Sequence, residues 1–201
     1  MAINLKKGQK IDLRKDNGDS LKSITVGLGW DVIEQPKKGG FLSIFAPKAP
    51  DVDCDASVIV CQNGKFCTTS DLVYFGHLNH QSGAIRHMGD NLTGAGDGDD
   101  EQIRVQLSKV PEMYDKLIFV VNIYAAVSRK QHFGMVQNAF IRVVDNDTNQ
   151  EMCRFNLSEN YDNMTAMIFG EVYHQDGKWK FNAIGQGTTD SSLESLANRF
   201  K

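Results

Sequence analysis

At 201 residues, with 22 basic and 25 acidic side chains and a net charge of −3, the chain is long enough for a self-sufficient core and is expected to form one domain spanning 1–201. No basic run exceeds two residues, which excludes an electrostatic nucleic-acid binder. Met1 to Gly8 hold no apolar signal-peptide core, and the longest wholly aliphatic or aromatic run, Leu117 to Val121, is too short to span a bilayer. A cytoplasmic protein is expected, with Cys54, Cys61, Cys67 and Cys153 reduced and filling core space.

In chain order, Ile3–Leu5 and Ile11–Leu13 flank a turn at Lys7-Gly8-Gln9 and read as a small hairpin. Asp16-Asn17-Gly18-Asp19 is a turn. Ile24, Val26, Leu28 and Trp30 then alternate with Ser23, Thr25, Gly27 and Gly29, a strand whose glycine face suits a bulge or close approach. Residues 32–50 are irregular, with Phe41, Leu42, Ile44 and Phe45 at their centre. They are either a surface insertion pinned by its own side chains or a docking loop. Ala56–Cys61 is a strand, Asn63-Gly64 a hairpin turn and Leu72–Phe75 the return. Ala84–Met88 and Gln102–Leu107 are strands on either side of an acidic stretch. Leu117–Tyr124 is apolar throughout, as a central strand covered on both faces should be. Ser128–Met135 is a short helix or loop. Asn138–Val144 with Met152–Leu157, and Met164–Val172 with Trp179–Ile184, are hairpins, the second turned by Asp176-Gly177. Ser191 and Glu194 fit a capping box ahead of a terminal helix with Leu193, Leu196, Ala197 and Phe200 on one face. About ten short strands with regular turn signals predict an all-β antiparallel β-sandwich with short helical segments and a C-terminal helix.

The chemistry concentrates in 89–101, which holds five carboxylates (Asp90, Asp97, Asp99, Asp100, Glu101) and four glycines. Carboxylates this close ionise together only in open water or around a cation. Oxygen ligands on a flexible loop suit Ca²⁺, which takes roughly 6–8 of them; a solvated acidic loop is the alternative. Asp53 and Asp55, two apart at a strand mouth, share a face, with Cys54 turned to the core. Asp31 ends an earlier strand. Eight acids at one end suit two Ca²⁺ ions better than one. The stretch 145–150 is a hairpin turn rather than an EF-hand, since it lacks the required glycine and glutamate. His77, His80 and His87 lie close in sequence; His77 and His80 flank a turn and read as surface histidines, and Trp30, Trp179 and the phenylalanines read as core.

Val26-Gly27-Leu28-Gly29-Trp30-Asp31, Asp53-Cys54-Asp55-Ala56-Ser57, Gly89-Asp90-Asn91-Leu92-Thr93-Gly94 with Gly98-Asp99-Asp100-Glu101, and Asn138-Ala139-Phe140-Ile141-Arg142 together resemble the TerD family of tellurium-resistance and general stress proteins. The likeness also takes in Phe169-Gly170-Glu171 and Gly185-Gln186-Gly187 and runs the length of the chain. It implies a calcium-binding β-sandwich, cytoplasmic or peripheral to the membrane, working with other stress or tellurium-resistance proteins, and no catalytic reaction. The metal ligands expected here are Asp31, Asp53, Asp55, Asp90, Asn91, Thr93, Gly96, Asp99, Asp100 and Glu101. One departure is Tyr124-Ala125-Ala126, where the family has an acid after the aromatic residue. Three functions are therefore weighed: a Ca²⁺-dependent binding module, a metal-dependent phosphoester hydrolase or transferase using the same acids, and a structural component stapled by Ca²⁺.

Overall fold

The computed structural model describes residues 2–33, 52–90 and 98–201, and of Asp90 only the backbone. The region expected to be irregular, apart from Val32 and Ile33, lies outside these residues, as do the expected ligands Asn91, Thr93 and Gly96.

In chain order the strands are β1 (Ile3–Leu5), β2 (Lys10–Asp12), β3 (Ile24–Val32), β4 (Cys54–Gln62), β5 (Leu72–Val73), β6 (Ile85–Asp90), β7 (Glu101–Val105), β8 (Tyr114–Ile123), β9 (Val136–Asp145), β10 (Gln150–Asn156), β11 (Ala166–Gln175) and β12 (Lys178–Thr188). The helices are α1 (Ala126–Arg129) and α2 (Leu193–Ala197). The strands form two six-stranded sheets, ordered β1-β10-β9-β3-β7-β6 and β2-β12-β11-β8-β4-β5. Every pairing is antiparallel except β1 with β10. The expected sandwich is the observed architecture.

Period-two alternation builds the core. Val26 and Leu28 of β3, Ala56, Val58 and Val60 of β4, Leu117, Phe119 and Val121 of β8, and Ile141 and Val143 of β9 face one another between the sheets. The intervening residues of the β8 run are also buried: Ile118 and Val120 join Ile59, Cys61, Leu196 and Ala197 in a second cluster on the outer face. The terminal helix thus covers the back of the second sheet, which explains why β8 carries no polar alternation. Asn63 (φ 52°) with Gly64 (φ 74°), and Asp176 (φ 53°) with Gly177 (φ 74°), take the left-handed conformations that tight hairpins need.

Several expectations are corrected. The two N-terminal segments do not pair with each other: β1 joins β10 in one sheet and β2 joins β12 in the other. Three-residue strands gain little from mutual pairing, and each instead completes the free edge of a longer strand. The cap of α2 is Ser192, whose side chain accepts from the Ser195 N–H at 3.1 Å, so Ser191 and Glu194 form no capping box. His80 and His87 are buried, Cys67 is exposed and Phe75 is 57 % exposed. His80 is buried because Asp71, itself fully buried, accepts from its Nε2 at 3.3 Å, while Tyr114 and Gln81 donate to the same carboxylate.

Candidate metal-binding end of the sandwich

The end of β3, the start of β4, the end of β6, the start of β7 and the β8–α1 junction lie at one end of the sandwich. Face alternation on β4 behaves as expected. Cys54 and Ala56 enter the inter-sheet core, so Asp53 and Asp55 lie on the other side. Burial first, then the charges of Asp55, Asp53, Glu101 and Asp100, drive the Cys54 thiol strongly toward its protonated form. The acids brought near Cys54 therefore come from both sheets. After β8, the Tyr124 N–H donates to the Asp53 carbonyl at 2.7 Å. Ala125 then takes a left-handed conformation (φ 52°), and α1 sets the Arg129 guanidinium 3.7 Å from Asp53 and 4.9 Å from the centre of the Tyr124 ring. Where the family resemblance leads one to expect an acid, this chain has alanines, and a cationic side chain lies one helical turn on.

The three consecutive acids that lead into β7 go three different ways, because the chain bends over 98–100 before the strand begins. Asp99 lies on the outer face of the first sheet. Arg142 Nε and Nη2 donate to its two oxygens at 2.7 and 3.0 Å, and Gln102 donates to it at 2.9 Å. The carboxylate rests on Gly27, where a Cβ would overlap it. The hydrogen bond to Asp99 is the main reason the Arg142 guanidinium is held above its usual range. Arg142 also donates to Glu151 at 3.1 Å, which in turn accepts from Arg154, whose guanidinium stacks 4.1 Å from the Phe140 ring centre.

Glu101 points the opposite way, into the space between the sheets. Its Oε2 accepts the Ala56 N–H at 2.8 Å and lies 3.1 Å from His87 Nε2. Gly89 N–H donates to His87 Nδ1, so the imidazole proton sits on Nε2 and is shared between Glu101 and the Ala56 carbonyl. This bridge ties β6 and β7 of one sheet to β4 of the other.

Asp100 is the third. Its Oδ2 accepts the Trp30 N–H at 2.6 Å, and its own N–H donates to the Leu28 carbonyl at 2.8 Å. Burial first, and then the charges of Asp31, Glu101 and Asp99, push its carboxyl above the ordinary value despite the Trp30 hydrogen bond. Asp31 accepts from Asn138 Nδ2 at 2.7 Å. Beside these two acids lies an open groove of about 930 Å³ lined by Trp30, Asp31, Asp100, Asn138, Phe140 and Arg154.

Among the described residues, then, Asp99 and Glu101 are each held by a cationic or imidazole side chain together with a further donor, and Asp31, Asp53, Asp55 and Asp100 lie nearer the rim of this end, with Asp31, Asp53 and Asp100 contacted by Asn138, Arg129 and the Trp30 N–H respectively. No three acid, histidine or cysteine side chains among the described residues converge closely enough to hold an ion. Asp31 and Asp100 nevertheless present carboxylate oxygens to this groove, the ligand type a hard cation requires. Sequence reasoning missed Arg142 and His87 as the groups that fix the base of the acidic loop. The signal for Arg142 was its outward position on a strand; nothing local marked its partner, 43 residues away.

Residues 1–200 match the TerD domain model. The chain is 51% identical over 201 residues to the stress response protein SCP2 of Bacillus subtilis (strain 168), covering 100% of both. It is 42% identical to the tellurium resistance protein TerD of Serratia marcescens, covering 93% of this chain and 91% of that one. The crystal structure of a homologue of telluride resistance protein (TerD) from Streptomyces coelicolor A3(2) superposes with a TM-score of 0.62 at 20% identity, covering 89% of this chain and 96% of that one, which supports the shared fold. No helix among the described residues is long and apolar enough to cross a membrane. The fold, the motifs at its acidic end and these relatives together place the chain in the TerD-domain family.

Proposed function

We propose that this protein is a Ca²⁺-dependent binding module of the stress-response and tellurium-resistance type, acting in the cytoplasm or at the membrane surface with other proteins of that response. The observation that carries the reading is Asp100. It is a half-buried carboxylate crowded by Asp31, Glu101 and Asp99, and no side-chain cation pairs with it among the described residues. A divalent ion offsets that repulsion more completely than a hydrogen bond does. Asp31, Asp53, Asp55 and Asp100 supply carboxylate oxygens; Asp90, Asn91, Thr93 and Gly96 supply the rest, for two ions. Asp99 and Glu101, held by Arg142 and His87, anchor the base of the loop. Bound Ca²⁺ would supply positive charge that orders this end and offers open coordination positions to a partner. Family membership and the names of the relatives support the stress and tellurium assignment.

Thermal melts in Ca²⁺, in Mg²⁺ and in chelator test the reading. A ligand at a hundred times its Kd stabilises by about 2.7 kcal/mol per site. For a chain of 201 residues that is a rise in Tm of roughly 6 °C. The expected result is a rise in Ca²⁺ that Mg²⁺ does not match; identical melts in all three buffers would refute it.

A further inference from the structure

The outer face of the first sheet carries two pairs of arginines set directly opposite one another on adjacent strands. Arg142 of β9 faces Arg154 of β10, and Arg86 of β6 faces Arg104 of β7. Like charges in such positions, with Cβ atoms about 5 Å apart, destabilise a sheet. The first pair is neutralised within the fold: Asp99 accepts from Arg142, and Glu151 accepts from both guanidiniums. Among the described residues the second pair has no such provision. Ile85, His87, Ile103 and Val105 turn into the core, so Arg86 and Arg104 both stand outward, and both are exposed. Among the described residues neither has a carboxylate partner. The neighbours in the same rung, Asn79 beyond Arg86 and Thr25 beyond Arg104, bring no negative charge. Two guanidiniums that no described carboxylate compensates thus face each other in a protein whose net charge is −3.

We propose that Arg86 and Arg104 form a binding site for a doubly charged tetrahedral oxyanion, a phosphate either free or as a monoester. The charge count favours a dianion, which cancels both guanidiniums at once. Each planar fork can donate two parallel hydrogen bonds to adjacent oxygens, and a tetrahedral group presents oxygens to both forks. The exposed Asn79 amide opposite Arg86 adds a further donor at the rim. The site lies on a different part of the sheet from Asp100 and needs no metal.

The test is calorimetric titration of the full chain with inorganic phosphate in chelator at low ionic strength, where surface charge is least screened. Chelator removes any contribution from calcium, so failure here and failure of the calcium reading are separate results. Saturable binding is expected, weakened about tenfold by Arg86→Gln or Arg104→Gln, as for loss of a charge-assisted hydrogen-bonding group. Lys178→Gln, which removes one exposed charge at the far hairpin, leaves it unchanged. A second arm sediments the protein with phosphatidylcholine vesicles containing phosphatidic acid, whose headgroup is a phosphomonoester. Arginine-dependent binding in this arm assigns the site to a lipid headgroup; arginine-dependent binding of inorganic phosphate alone assigns it to a free anion. The absence of binding in both arms, or equal binding by the Arg86→Gln/Arg104→Gln double variant, overturns the proposal.

Discussion

Gly27 offers the sharpest test of how the acidic end is built. A methyl group added there would occupy the space of the Asp99 carboxylate. That side chain is 1 % exposed and is held by an arginine that is 26 % exposed. The substitution Gly27→Ala therefore has to break the pair. Loss of a buried pair costs roughly 3–5 kcal/mol, and the partly solvated Arg142 puts this case at the low end, about 3. Replacing a strand glycine by alanine returns about 0.5–1 kcal/mol of backbone entropy, leaving a net cost of about 2 kcal/mol. An unfolding entropy of about 2.1 cal/mol/K per residue over 201 residues gives roughly 0.42 kcal/mol/K, so Tm should fall by roughly 5 °C. The decisive measurement is the double-mutant cycle by thermal or urea unfolding. Once Asp99→Ala has removed the carboxylate, the methyl group has room. Gly27→Ala should then stabilise by about 0.5–1 kcal/mol instead of destabilising. An equal cost in both backgrounds would show that the methyl group meets something other than Asp99, and the account of the pair would fail.

Other outcomes follow from the same geometry. Burial and neighbouring charges place the Asp100 pKa above its unfolded value, so ionised Asp100 opposes folding at neutral pH; Asp100→Asn should raise Tm in chelator and shrink the response to Ca²⁺, and a lowered Tm in chelator would contradict this. Burial sets the His80 imidazole below its ordinary value, against the pull of Asp71. The unfolded chain therefore protonates first: stability is full above about pH 6.5 and declines as pH falls toward the folded value. Urea midpoints at about pH 7.5 and pH 5.5 should diverge more for the wild type than for His80→Gln. Ala125 sits in the left-handed region (φ 52°) without a glycine's freedom, so Ala125→Gly should stabilise by roughly 0.5 kcal/mol net of the unfolded-state entropy it adds; a destabilised melt would show that its methyl group makes a packing contact worth more than the strain.

Much of the fold was legible locally. The alternation around Val26 and Leu28, the apolar run from Leu117, and the Asn63-Gly64 and Asp176-Gly177 turns all report short-range sterics that a few residues suffice to encode. The face of Asp53 and Asp55 followed from the same period. The close approach expected on the glycine face of β3 is made by side chains, Asp99 over Gly27 and Phe140 over Gly29. His80 was misread and His87 missed because a buried imidazole and an exposed one have the same local context; only their partners Asp71 and Glu101 distinguish them.

By itself the sequence determined the class of fold, the positions of most strands and the gathering of acids at one end, because face alternation and turn stereochemistry act between near neighbours. Tertiary structure alone decided that β1 and β2 enter different sheets, that Arg142 grips Asp99, and that Glu101 bridges to Ala56 across 45 residues. Those outcomes depend on which strand edges and which buried donors remain unsatisfied once the two sheets have closed on each other, a property of the assembled sandwich that no single segment carries.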